Sequence, residues 1–171
     1  MRPDESEVKV PIPALLRAAR GSYAHAIREH LVESGISDLP ANGAYILGGL
    51  SASISAGKLF REIGLREGAR SRLLQALLDR GFVKPSVGAP QHGLDDLELT
   101  EKGRLAAQAT ERGVLATNEE LAEMLSPQEL STFRKGLIAL IDIKERAEQG
   151  HNDHSHEHEH EHEHEHEHEH H

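Results

Sequence analysis

No cysteine occurs among the 171 residues, which excludes disulfide frameworks, thiolate-held metal sites and thiol-based redox sensing. Tryptophan is also absent and aromatic residues make up 3% of the chain, so no stacking box identifies a ligand. No apolar run approaches the roughly 20 residues needed to span a bilayer. The opening MRPDESEVKVPIP lacks the apolar core of a signal peptide. A cytoplasmic protein with no membrane partner is therefore expected. Catalytic constellations are missing as well. Gly57-Lys58 is no phosphate-binding loop, because Ala52 stands where the earlier glycine belongs and Leu59 where a hydroxyl residue belongs. No nucleophile elbow occurs, and the chain is not expected to be an enzyme.

What is present begins with segregated charge. The formal net charge is -10, but Asp153 and seven glutamates place eight of the negative charges beyond Gly150. The remaining body carries 19 basic and 21 acidic residues. Within it, the stretch from Lys58 to Lys84 has seven basic residues against Glu62, Glu67 and Asp79, a local excess of positive charge that suits a polyanion. The length fits one domain plus a tail. A flexible arm is expected over 1–13, where Pro11 and Pro13 interrupt regular structure. The domain is expected over 14–148, and the near-perfect His/Glu alternation of 149–171 cannot bury an apolar core and is expected to be disordered.

Apolar spacing through Leu15, Ala19, Tyr23, Ala26, Ile27 and Leu31 predicts a helix closed by Gly35. Pro40 fits the first turn of a second, shorter helix carrying Tyr45, Ile46 and Leu50. Serine caps before Leu59, Phe60 and Ile63 start a third helix that Gly64 ends. A fourth follows at once, with Leu73, Leu74, Leu77 and Leu78 on one stripe and Gly81 as its stop, so that a helix-turn-helix occupies about 53–81. Phe82–Val87 and Leu94–Leu99 read as short strands around a turn from Gly88 to Gly93, and Pro85 confines the first to an edge. This wing spans about 82–99. C-terminal helices are expected over about 100–148. Thr100 caps the first, with an interruption around Gly113 to Asn118. Ser126, Pro127 and Glu129 form a capping box for the last, whose face carries Leu130, Phe133, Leu137 and Ile141.

In combination, SDLPANGAYIL, REIGLREGARSRLLQALLDRGFV, LELTEKGR and LSPQELSTFRKGL resemble the MarR family of winged helix-turn-helix transcription regulators over most of Ala14 to Arg146. The resemblance implies a mostly α fold with a small β-hairpin wing and with N- and C-terminal dimerisation helices. It implies a homodimer that reads a palindromic site in double-stranded DNA, as a repressor. It also implies an unidentified small-molecule effector, usually an aromatic acid or drug in this family. The family's base-reading positions fall on Ser71, Arg72 and Gln75, on the helix face opposite the leucine stripe, where arginine suits guanine and glutamine suits adenine. Arg66 joins them as a candidate contact. Arg70 lies near the leucine side, from which it can snorkel to a phosphate. The family's wing-tip Asp-x-Arg pair falls on Gln91 and Gly93, so only His92 at the tip and Lys84 at the base offer positive charge, beside Asp95, Asp96 and Glu98. The wing is a poor DNA anchor by charge.

The tail histidines His154, His156, His158, His160, His162, His164, His166, His168 and His170 can gather around nickel, zinc or copper in many interchangeable ways. An engineered purification handle, a neutral low-complexity expansion and a native metal buffer or sensor remain open, and no metal is required by the body. Two further functional classes stand beside the regulator. One is a winged-helix dimer with weakened DNA binding that serves as a protein-interaction module. The other is a histidine-rich metal-binding or buffering protein.

Overall fold

The computed structural model describes residues 10–86 and 96–160, with side chains described as far as residue 150. Along these residues run α1 (Ile12–Glu33), α2 (Gly43–Ser51), α3 (Ala56–Glu62), α4 (Glu67–Asp79), β1 (Val83–Pro85), β2 (Leu97–Leu99), α5 (Glu101–Met124) and α6 (Pro127–His160). The described residues up to Glu120 form one compact unit and those from Leu121 a second. The fold is mostly α with a β-hairpin wing, as the sequence leads one to expect.

Local chemistry explains where most elements begin and end. The Ser55 side chain accepts from the Lys58 amide and caps α3. In α6, the Ser126 amide donates to Glu129 and the Glu129 amide to the Ser126 hydroxyl, the reciprocal pair of a capping box. Helix α4 closes through Gly81, at φ +76°, which lets the Phe82 amide reach back to the Leu77 carbonyl. Both of those side chains are fully buried, so the turn that ends the helix also seats two core residues. The two strands pair antiparallel with Lys84 opposite Glu98 and Pro85 opposite Leu97.

Several expectations need correction. Pro13 does not hold the chain out of helix: α1 starts at Ile12, because a proline in the first turn lacks only an amide that has no helical partner there. Pro40 lies ahead of α2, not in it. The Gly43 amide closes a turn onto the Pro40 carbonyl, and the helix starts after Asn42, which is left-handed at φ 66°. Each strand is three residues long, while Val87, Leu94 and the Gly88-to-Gly93 turn fall outside the described residues. Helix α5 is continuous through Gly113. A Cβ there would sit 2.6 Å from the Ile27 Cα, so this glycine serves the close approach of α1 and not a break. Finally, the α6 backbone stays helical to His160, beyond the boundary expected at 149. Once a helix is nucleated each further residue adds one bond, and Gly150 opposes this by only about 1 kcal/mol.

The core of the first unit gathers Ile46 and Leu47 from α2, Leu59 and Phe60 from α3, Leu73 and Leu77 from α4, Phe82 and Val83, with Ala106, Ala107 and Ala109 of α5 closing it. Phe82 binds several elements together. Its carbonyl accepts from the Thr100 amide and from the Thr100 hydroxyl, and the Lys102 ammonium lies 4.3 Å from its ring centroid. Lys102 also donates to Asp38 and to the Arg80 carbonyl. The Lys102 hydrogen bond holds the Asp38 carboxyl below its ordinary pKa. This small contribution to stability is present above the ordinary carboxylate range and is lost as pH falls through the lowered value.

On the other side, the Tyr45 hydroxyl donates to Glu62 at 2.8 Å and ties α2 to α3. Burial, with the Glu62 hydrogen bond and charge behind it, pushes the Tyr45 phenol up to about 12. A raised phenol favours the folded state below the ordinary tyrosine value of about 10, and that contribution disappears as pH rises through about 12.

Two predictions follow from this packing. A Cβ on Gly103 would overlap the Phe82 carbonyl oxygen, which is backbone and cannot swing aside. Gly103→Ala is expected to destabilise by about 3 kcal/mol, lowering the melting temperature by roughly 10 °C in a circular-dichroism melt, whereas Gly136→Ala, with open space around it, is expected to leave stability unchanged or raised. With no tryptophan and two tyrosines in the chain, ultraviolet titration can follow the phenols directly. The native protein is expected to show a phenolate step near pH 12 that Tyr45→Phe lacks.

Candidate nucleic-acid interface

Helices α3 and α4 are joined by a four-residue turn, Ile63 to Arg66, in which Gly64 takes φ +65°. Leu73 and Leu77 anchor α4 in the core at 6% and 0% exposure. A residue buried at 73 and another at 77 fix the helix's rotation, because positions four apart share a face. Gly68, Ser71, Arg72, Gln75 and Asp79 consequently stand on the exposed side. The three candidate reading residues thus project together from a surface that is open among the described residues.

Within that surface, Gln75 is already oriented. Its amide nitrogen donates to Asp79 at 2.7 Å, which leaves the amide oxygen and one N–H without a partner among the described residues. This i,i+4 partner was readable from spacing alone, yet it is not among the sequence candidates. Arg72 has no hydrogen bond or ion pair among the described residues. Arg66 occupies the N-cap of α4 with extended backbone and an exposed side chain. It offers no acceptor to the first-turn amides, so the positive end of the helix is left open beside a cation. Arg70 is half-buried, in keeping with its place near the leucine side. Its Nε is shut from solvent and finds no partner, an unsatisfied donor worth about 1–3 kcal/mol of desolvation.

The base of the wing is electrically compensated. Lys84 Nζ lies 3.2 Å from Glu98 Oε1, a direct consequence of the register that sets the two opposite each other. The wing tip with His92 lies outside the described residues. The tail sites from His154 to His160 lie on described backbone whose side chains are not described, and those from His162 to His170 lie beyond it. Among the described residues no group of three or more histidine, aspartate and glutamate side chains is placed to hold a metal ion. No described helix is long and apolar enough to cross a membrane.

Behind the helix-turn-helix, a cleft of about 1040 Å³ opens between α1, α2, α3 and α5. Ile27, Leu31, Leu39, Ile54 and Ile63 contribute to a predominantly aliphatic wall, and Arg20 and Arg28 of α1 line the same space. Tyr23 and Tyr45 are its two aromatic residues, and each hydroxyl is engaged, the first with Asn118 at 2.6 Å and the second with Glu62. Sequence reading could not find this cleft. It depends on how four helices meet, and Tyr45 reads locally as an ordinary apolar contact.

No family model and no curated protein matches the sequence. Solved structures do match. A MarR-family transcription regulator shares 22% identity and a TM-score of 0.60, over 81% of this chain and 90% of that one. The S. aureus MepR–DNA complex gives 17% identity and a TM-score of 0.61, over 80% and 98% of the respective chains. A M. tuberculosis MarR-family protein in complex with salicylic acid gives 22% identity and a TM-score of 0.51, over 78% and 98%. Together with the buried leucines of α4, its open outer face and the two-stranded hairpin after it, these likenesses define the architecture: the chain has the winged helix-turn-helix fold of MarR-family transcription regulators.

Proposed function

We propose that the protein is a DNA-binding transcription regulator that acts as a homodimeric repressor on a palindromic site. The observation that carries this reading is the outward projection of Ser71, Arg72 and Gln75 from a helix held by Leu73 and Leu77. Arg72 takes a guanine edge and Gln75, steadied by Asp79, an adenine edge. Arg66 and the uncapped start of α4 meet a phosphate, where helix amides and a guanidinium both favour an anion. Arg70 and Lys84 lie at the margins of this contact, and His92 at the wing tip. That MepR of the same fold was crystallised with DNA supports the assignment.

Dimerisation is supported by apolar side chains that stand exposed among the described residues. Ile12 and Leu15 in α1 are 63% and 45% exposed, and in α6 Ile138, Ile141 and Ile143 are 56%, 55% and 61% exposed. Unpaired apolar stripes of this size favour a partner, and a two-fold dimer presents two reading helices to an inverted repeat. The cleft behind the helix-turn-helix is the effector site of this reading, on the strength of its volume and apolar lining; a structure of the same fold was crystallised with salicylic acid. The His/Glu tail binds nickel, zinc or copper as an accessory property, supported by its composition alone.

Selection from a random duplex library is expected to return an inverted repeat, and recovery of no sequence at low salt would overturn the regulator reading. Arg72→Ala is expected to reduce discrimination at one base pair per half-site by about 1–3 kcal/mol while non-specific binding changes little. Equal losses on all sequences would remove its base-reading role. Because Lys84 is compensated by Glu98, the logarithmic dependence of affinity on salt is expected to be shallow, with Glu98→Gln steepening it by about one unit.

A further inference from the structure

We propose that the cleft between α1, α2, α3 and α5 takes an elongated aliphatic carboxylate, a medium- to long-chain acyl anion, in preference to a compact aromatic acid. This deepens the effector reading above and rests on it for its regulatory meaning, but the binding itself stands on the cleft's own chemistry.

Size comes first. At about 1040 Å³ the space lies at the upper end of the range of small-molecule pockets, roughly 300–1,000 Å³. A single-ring acid leaves most of such a cavity wet, and wet apolar walls contribute nothing to affinity. The walls themselves are the second observation. Nine isoleucine, leucine and valine side chains line the cleft against two tyrosines. Both tyrosine hydroxyls are held by protein acceptors and are not free donors for a ligand. Ala44 and Gly48 of α2 and Ala52 at its C-cap are small and leave room along that helix. A flexible hydrocarbon chain can follow an aliphatic wall of this kind, and each methylene that leaves water adds to binding.

Charge selects the head group. Arg20 and Arg28 are both exposed, both line the cleft, and neither takes part in an ion pair or hydrogen bond among the described residues. Eight residues of helix separate them, about 12 Å at the usual rise, so they mark the α1 rim with positive charge over two turns. A guanidinium is matched to a carboxylate by its paired N–H donors. Glu62, the acidic residue of the lining, belongs to α3. It is hydrogen-bonded by Tyr45 and lies 4.0 Å from Lys58, so its charge is already answered. The occupant therefore carries its anion toward α1 and its hydrocarbon toward Leu59 and Ile63, the latter the first residue of the turn that leads into α4.

Isothermal titration of the full chain, without DNA, tests this with octanoate, decanoate and dodecanoate below their micelle concentrations, beside salicylate and 1-decanol. Affinity is expected to rise by up to about fourfold per added methylene, and decanoate is expected to bind more tightly than salicylate. The Arg20→Gln/Arg28→Gln double variant, altered only at exposed positions, is expected to lose at least about tenfold in decanoate affinity with no change for 1-decanol. Salicylate binding more tightly than decanoate, affinity independent of chain length, or an equal loss for acid and alcohol would each overturn the proposal. Operator binding is measured separately with the Arg72 variant, so failure of the regulator reading is told apart from failure here.

Discussion

Phe82 is fully enclosed, and the surface that would meet DNA depends on that burial. Its amide closes α4 by returning to the Leu77 carbonyl, its carbonyl receives Thr100 at the head of α5, and its ring lies under the Lys102 ammonium. One residue thereby fixes the end of α4, the first strand of the hairpin and the start of the following helix. The apolar transfer of a phenylalanine side chain, about 1.5–3 kcal/mol, is only part of this. The backbone bonds on either side set geometry as well as stability. Were the ring to leave the core, α4 would lose the stop that holds Leu77 inward, and the orientation of Ser71, Arg72 and Gln75 would go with it.

A second tie operates from the other end of the helix-turn-helix. Tyr45 and Glu62 join α2 to the last turn of α3 at the edge of the cleft, one residue before Ile63 begins the turn into α4. The cleft's wall and α4 are thus neighbours in sequence as well as in space. Were a molecule to fill the cleft, it would press on the segment that aims α4, a short physical route from the cleft to the outer face of that helix.

Much of this was legible in the sequence where a signal is local and chemically determined. Ser55 before α3 and the Ser126/Glu129 pair before α6 act within one turn of themselves. The leucine stripe of α4 needs only helical period to orient Arg72 outward. The failures share an opposite character. Gly113 has the look of a helix breaker until Ile27 is seen to press against it, and the α5 helix then runs unbroken. The strand register that pairs Lys84 with Glu98 depends on a loop between them, so the lysine reads from sequence as a free cation. Arg20 and Arg28 stand eight apart on a long helix, where nothing nearby in sequence shows that they border a cavity. Composition likewise signals disorder after residue 148, but a helix already under way is stopped by geometry and not by polarity.

The Lys84–Glu98 pairing also bears on how such a protein could be retuned. Because the cation at the foot of the hairpin is balanced by a single cross-strand carboxylate, the net charge there is set by one position that carries no part of the core. The charge presented there can drift upward or downward through that position without disturbing either the fold or the outward face of α4, leaving the two free to evolve apart.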